Sequence, residues 1–153
     1  MEVLIESLSK EFEVRVATLE EVCIILREPR LLSVVGLSSP SEIPEYFHSL
    51  KYKLYIAKHG ENSLLFMFKE ICLGVFEVHI ACPERSKLKS RLLTYVALKW
   101  IYLRDEHYVK YFYTSCPEGK IANFIRKFGA TQIKRTGDTV HFMATPETFQ
   151  LTK

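Results

Sequence analysis

The chain has 153 residues, 48% of them hydrophobic and 25% charged, which places it among folded globular proteins and excludes a disordered or fibrous chain. Folding a chain of this length buries roughly 68–70% of the surface its unfolded form exposes, so one domain spanning 1–153 needs no disulfide or structural metal to hold it together. Its 21 basic and 18 acidic side chains leave a net charge of +3, a balance too even for a dedicated nucleic-acid or membrane-surface binder, so any electropositive site is local.

The start, Met-Glu-Val-Leu-Ile-Glu, has no basic segment leading into an apolar run. No window approaches the length of uninterrupted apolar sequence that a membrane span requires. The expectation is a chain without signal peptide or membrane span, placed in the cytoplasm.

A first strand is predicted near Val3 to Leu8. Thr18 followed by Glu21 is a capping box, and Leu19, Val22, Ile25 and Leu26 recur at helical spacing up to Pro29. Ser39, with Pro40 at the first helical position and Glu42 behind it, signals a second helix striped by Ile43, Tyr46, Phe47 and Leu50. From Tyr52 the period turns strand-like. Leu54 to Lys58, Leu64 to Phe68 and Leu73 to Cys82, separated by turns, read as an antiparallel meander.

Lys87 to Leu103 carries Leu88, Leu92, Leu93, Val96, Ala97 and Trp100 on one broad face, the pattern of a helix packed on a sheet. Tyr108 to Cys116 is aromatic and β-branched, a strand whose Tyr111, Phe112 and Tyr113 read as core and sheet surface. Ile121, Phe124, Ile125 and Phe128 predict a short helix closed by Gly129 in a left-handed cap. Gly137-Asp138, flanked by Ile133 and Val140, predicts a terminal hairpin. A strand, helix and strand through residues 73–116 require a parallel pair joined by a right-handed crossover, so the sheet is predicted to be mixed.

The four cysteines, Cys23, Cys72, Cys82 and Cys116, show no metal-ligand spacing and read as reduced, mostly buried thiols. Cys116 reads as a buried structural thiol rather than a nucleophile. His48, His59, His107 and His141 have no metal spacing either and carry no assignment. Two constellations hold chemistry. Glu77 and His79 lie two apart in Gly74-Val75-Phe76-Glu77-Val78-His79-Ile80, so both emerge on one face of an otherwise apolar strand. They are candidates for a base acting near neutrality, or else members of a cross-strand ion pair or a satisfied polar cluster. The densest basic stretch, Arg85, Lys87, Lys89 and Arg91, sits at a predicted helix start and is either an anion site or a solvated helix face.

The element order, with a long strand running into Pro83-Glu84-Arg85-Ser86-Lys87 and then a helix, resembles the GNAT superfamily of acyl-CoA-dependent N-acyltransferases over nearly the whole chain. The resemblance implies an α/β (α+β) architecture with a mixed central sheet of about seven strands flanked by about four helices. In that family a loop of pattern Gln/Arg-x-x-Gly-x-Gly/Ala holds the pyrophosphate of coenzyme A on backbone amides and a helix N-terminus. Carried onto this chain, the loop is Arg85-Ser86-Lys87-Leu88-Lys89-Ser90, with Ile80 and Ala81 on the strand leading to it and acetyl-CoA as co-substrate. Arg85 and Ser90 match the pattern, whereas Leu88 stands where the first glycine belongs.

The family also places a tyrosine, acid to the departing thiolate, on the helix after the fifth strand; counted back from Gly129, that position is Ile125. Glu77 and His79 fall where a base is expected. The resemblance therefore implies either an N-acetyltransferase acting on a primary amine of a protein or small molecule, or a domain of the same fold that has lost catalysis and binds a protein partner. Gly-x-x-Glu-x-His, the Trp-bearing helix and Lys-x-Gly are also similar to GNAT-like proteins of tailed bacteriophages, implying host-protein modification, virion assembly or inhibition of a host factor.

Overall fold

The computed structural model of the protein describes residues 12–28, 31–32, 37–45, 52–59, 62–81, 90–104 and 106–149. In chain order these form β1 (Phe12–Val16), α1 (Leu19–Leu26), a 3-10 turn (Pro40–Glu42), β2 (Lys53–His59), β3 (Asn62–Cys72), β4 (Val75–Ala81), α2 (Ser90–Arg104), β5 (Tyr111–Pro117), α3 (Lys120–Lys127), β6 (Thr131–Thr136) and β7 (Thr139–Ala144). The strands build one seven-stranded sheet in the order β1-β2-β3-β4-β5-β7-β6. β4 and β5 pair parallel, while β1–β2, β2–β3, β5–β7 and β6–β7 pair antiparallel, so the sheet is mixed as predicted.

The chain divides into two compact units, Met1–Lys69 with His79–Leu88, and Glu70–Val78 with Lys89–Lys153. In the first, the Thr18 hydroxyl accepts from the Glu21 N–H at 3.2 Å and the Glu21 carboxylate accepts from the Thr18 N–H at 3.0 Å, the predicted capping box in full. Val22, Ile25 and Leu26 then bury one face of α1 against Leu31, Leu32, Ile43, Ile56, Leu65, Met67 and Ala81. Ser39 caps the 3-10 turn as predicted, and Ile43 is buried; Tyr46, Phe47 and Leu50 of the expected stripe lie outside the described residues.

The strand expected near Val3 to Leu8 also lies outside the described residues, and a strand the sequence reading did not mark, β1, runs from Phe12 to Val16. It pairs with β2 from Phe12↔His59 to Val16↔Tyr55 and buries Val14, whereas Val16 is 63% exposed.

In the second unit α2 is described from Ser90 to Arg104, the predicted start at Lys87 lying outside the described residues, and it buries Thr94, Val96, Ala97, Leu98 and Ile101. Trp100, expected on the packed face, is half-buried and lies under the Arg104 guanidinium, 5.4 Å from its ring centroid. α3 packs Ala122 and Ile125 against Cys116, Val140 and Phe142, and Gly129 takes the left-handed conformation, φ +92°, that ends it. Gly137, φ +60°, makes the two-residue turn between β6 and β7, whose register closes at Thr136↔Thr139. The cysteines depart from the expectation of mostly buried thiols. Of the three described, Cys116 is buried, Cys23 is half-buried and Cys72, at the end of β3 before a turn, is exposed.

Candidate active site on the parallel strand pair

The parallel pair is anchored at its start by a glycine. Gly74 sits at φ +80°, its carbonyl accepts from the N–H groups of Lys110 (2.8 Å) and Tyr111 (3.1 Å), and its own N–H donates to the Glu70 carboxylate at 3.1 Å. A Cβ here would lie 3.2 Å from Lys110 Cγ and Cδ on a backbone conformation side chains disfavour. These bonds fix the register that follows, Val75↔Tyr111, Phe76↔Phe112 and Glu77↔Tyr113. β5 continues through Thr114, Ser115 and Cys116 to Pro117. On its other side β5 stays paired with β7 along its length, from Phe112↔Ala144 to Pro117↔Thr139.

Alternation along β4 buries Phe76 and Val78 and leaves Val75, Glu77 and His79 half-buried, so the two titratable candidates share a face as predicted. Both have interaction partners. Register partners in a sheet point to the same side, so Tyr113 stands beside Glu77 on that face. One strand further, Ser115 is opposite His141 and Tyr113 opposite Met143, which makes His141 the diagonal neighbour of Tyr113. The Tyr113 hydroxyl and His141 Nδ1 are 2.5 Å apart, their rings tilted by 32° with centroids at 5.9 Å. The other imidazole nitrogen, Nε2, is buried and has no hydrogen-bond partner among the described residues. A carboxylate, a phenol and an imidazole thus occupy neighbouring positions on three adjacent strands.

Sequence reasoning missed two of these three. Tyr113 read as sheet surface and His141 as unassigned; alternation put each on its face, but only the β5–β7 register brings them together. Of the expected coenzyme-binding residues, Ile80 is 37% exposed, and Ala81 buries its methyl in the core around α1, which leaves its backbone as the part it can offer a ligand. Ser90 opens α2, while Arg85, Ser86, Lys87, Leu88 and Lys89 lie outside the described residues. Ile125, where the resemblance expects a tyrosine, packs into the α3 core.

Beyond the row, the end of β5 is tied down electrostatically. The Glu118 carboxylate accepts from Arg126 at 2.7 and 2.9 Å and from Arg135 at 2.5 Å, and these hydrogen bonds hold its carboxyl below the usual range, at about 2. Burial pushes the Cys116 thiol up, which leaves it a poor thiolate. Among the described residues no group of three His, Cys, Asp or Glu side chains is arranged to hold a metal, and no helix is long and apolar enough to cross a membrane.

No protein-family model matches the sequence, and no curated protein matches it significantly. Solved structures do match in fold. Spermidine N-acetyltransferase from Vibrio cholerae, in complex with CoA and spermine, superposes with a TM-score of 0.71 at 13% identity, covering 92% of this chain and 99% of that one. Aminoglycoside acetyltransferase AAC(6')-Ib in complex with coenzyme A gives 0.64 at 16% identity, covering 92% and 98%. The N-acetyltransferase PseH from Campylobacter jejuni gives 0.60 at 10% identity, covering 88% and 98%. The chain therefore has the GNAT fold.

Proposed function

We propose that the protein is an acetyl-CoA-dependent N-acetyltransferase acting on a primary amine of a protein or small molecule. The observation that carries this reading is the seven-stranded mixed sheet with its parallel β4–β5 pair, Val75↔Tyr111 to Glu77↔Tyr113, an architecture shared with CoA-bound acetyltransferases. The CoA-bound acetyltransferases that share the fold support the same donor, and their spermidine and aminoglycoside names support an amine acceptor.

In this proposal the Arg85–Ser90 segment, at the amino end of α2, holds the pyrophosphate through backbone amides, the helix dipole and the charges of Arg85, Lys87 and Lys89. Ile80 and Ala81 contribute backbone to the donor, and Glu77, with His79, takes the proton that the acceptor ammonium must lose before its nitrogen can attack. Placing that nitrogen against the thioester accounts for most of the acceleration. The proposed setting is the cytoplasm.

The test is acetylation of an acceptor panel of polyamine, aminoglycoside and lysine peptide, followed by mass spectrometry. Acetylated product that falls about 100-fold in the Glu77→Gln variant supports the reading. No product from a folded protein at millimolar acetyl-CoA overturns it. Ile125 favours a second reading, because the turn of α3 where the resemblance places a phenol is spent on packing. In that reading the domain is catalytically silent and serves a protein partner, as a virion-assembly or host-inhibiting factor of a phage would. Failure of acetyl-CoA binding, with retained folding, is the outcome that selects it.

A further inference from the structure

We infer that a cleft where β5 begins and β7 ends is a binding site for a free α-amino acid with an apolar side chain. The site stands apart from the acetyltransferase reading, which uses none of its residues.

Phe112 lies opposite Ala144, so the start of β5 and the end of β7 meet at one end of the sheet. There a cleft of about 340 Å³ opens between Tyr102 in the last turn of α2, the lead into β5 at Val109 to Tyr111, and the segment after β7 from Thr145 to Glu147. Its backbone is held on both sides. The Gly74 carbonyl receives the N–H groups of Lys110 and Tyr111, and the Lys110 stem lies 3.2 Å from where a Cβ on Gly74 would stand. After β7, the Thr148 N–H donates to the Thr145 carbonyl at 3.0 Å and the two hydroxyls are 3.1 Å apart, a turn with Pro146 and Glu147 inside it. A cleft built on fixed segments loses little conformational freedom when a ligand enters.

The chemistry of the lining names the ligand. Lys110 brings a cation and Glu147 an anion to the same cleft, yet among the described residues neither has an ion-pair partner, and the phenols of Tyr102 and Tyr111 have no hydrogen-bond partner. Elsewhere in this unit charges are matched, as Glu118 is by Arg126 and Arg135. Opposite charges left unpaired in one concavity suit a ligand that carries both, its carboxylate to Lys110 and its ammonium to Glu147. A polyamine would set like charge against Lys110, and a dicarboxylate would do the same against Glu147. Buried Val109 and Pro146, with the rings of the two tyrosines, supply apolar surface for a side chain. At roughly 30 Å³ per water, the volume admits on the order of ten non-hydrogen atoms, about the size of leucine. Lys110 and Glu147 are exposed, so each contact is worth a factor of about five, and the expected dissociation constant is on the order of millimolar.

The test is a titration of the nitrogen-15-labelled full chain with L-leucine, followed by NMR. The amide signals of Tyr102, Val109, Lys110, Tyr111, Thr145 and Glu147 are expected to move and saturate. N-acetyl-L-leucine, which lacks the ammonium, and L-leucine amide, which lacks the carboxylate, should each bind about fivefold more weakly. Glu147→Gln should weaken leucine by about the same factor and leave N-acetyl-leucine unchanged, whereas Lys110→Met should weaken leucine and leave the amide unchanged. No movement of these signals up to about 50 mM leucine overturns the site. Shifts that survive both substitutions, or single-charge analogues that bind as tightly as leucine, overturn the recognition of both charges. Tighter binding of spermidine or succinate overturns the amino-acid assignment. The titration contains no acetyl-CoA, so its outcome is independent of whether the protein transfers acetyl groups.

Discussion

Replacing Glu21 by Gln isolates a charge from a cap, because the two share one carboxylate. Glu21 accepts the Thr18 N–H that completes the capping box and receives Arg15 through both guanidinium nitrogens, one at 2.6 Å, with Lys58 Nζ at 3.8 Å. Gln can still serve the box, which accepts either residue at that position, so the substitution removes charge and leaves the helix start in place. The carboxyl is held at about 2 against an ordinary 4.5, chiefly by the Arg15 hydrogen bonds, against the opposing effect of burial and with help from Thr18. A depressed folded value stabilises fully above about pH 4.5 and loses that contribution as the pH falls toward 2.

At about 1.4 kcal/mol per pKa unit the linkage ceiling is about 3 kcal/mol. Arg15 is 35% exposed, so solvent screening reduces the expected loss to about 1–2 kcal/mol. Urea unfolding of the Glu21→Gln variant should show that deficit at pH 7, and the gap to the parent should narrow steadily as the pH falls from about 4.5 toward 2. A deficit of the same size at both pH values would refute the reasoning, because it would mean that shape, not charge, had been lost.

Gly129→Ala places a side chain at φ +92° with its Cβ 3.2 Å from Thr148 Cγ2, and should cost about 1–2 kcal/mol in thermal or chemical unfolding. Thiol labelling with peptide mapping should find Cys72 modified rapidly in the native protein and Cys116 protected until unfolding, since the first is exposed and burial pushes up the second. Labelling of Cys116 at the rate of Cys72 would contradict its place in the α3 core.

Most of the architecture was legible because each element carries its own punctuation. Thr18 and Glu21 start α1, Gly129 stops α3, and Gly137-Asp138 turns the last hairpin, all by local rules that need no tertiary information. β1 escaped notice although Phe12, Val14 and Val16 alternate with Glu13 and Arg15, because the run is only 5 residues long. The site was half legible. Glu77 follows from strand period alone, whereas the contact between Tyr113 and His141 spans 28 residues and depends on the register of β5 against β7, which two-residue periodicity does not encode. Ala81 shows the reverse, a residue placed in the right strand whose side chain is taken up by the core around α1, a contact that the strand period does not reveal.

The account stands or falls on whether the protein binds acetyl-CoA, and equilibrium binding measured by thermal shift with calorimetry tests that most directly. Acetyl-CoA at 100 times its dissociation constant should add about 2.7 kcal/mol to stability, with a single calorimetric site. A folded protein whose melting temperature and heat signal do not change at millimolar acetyl-CoA would contradict it.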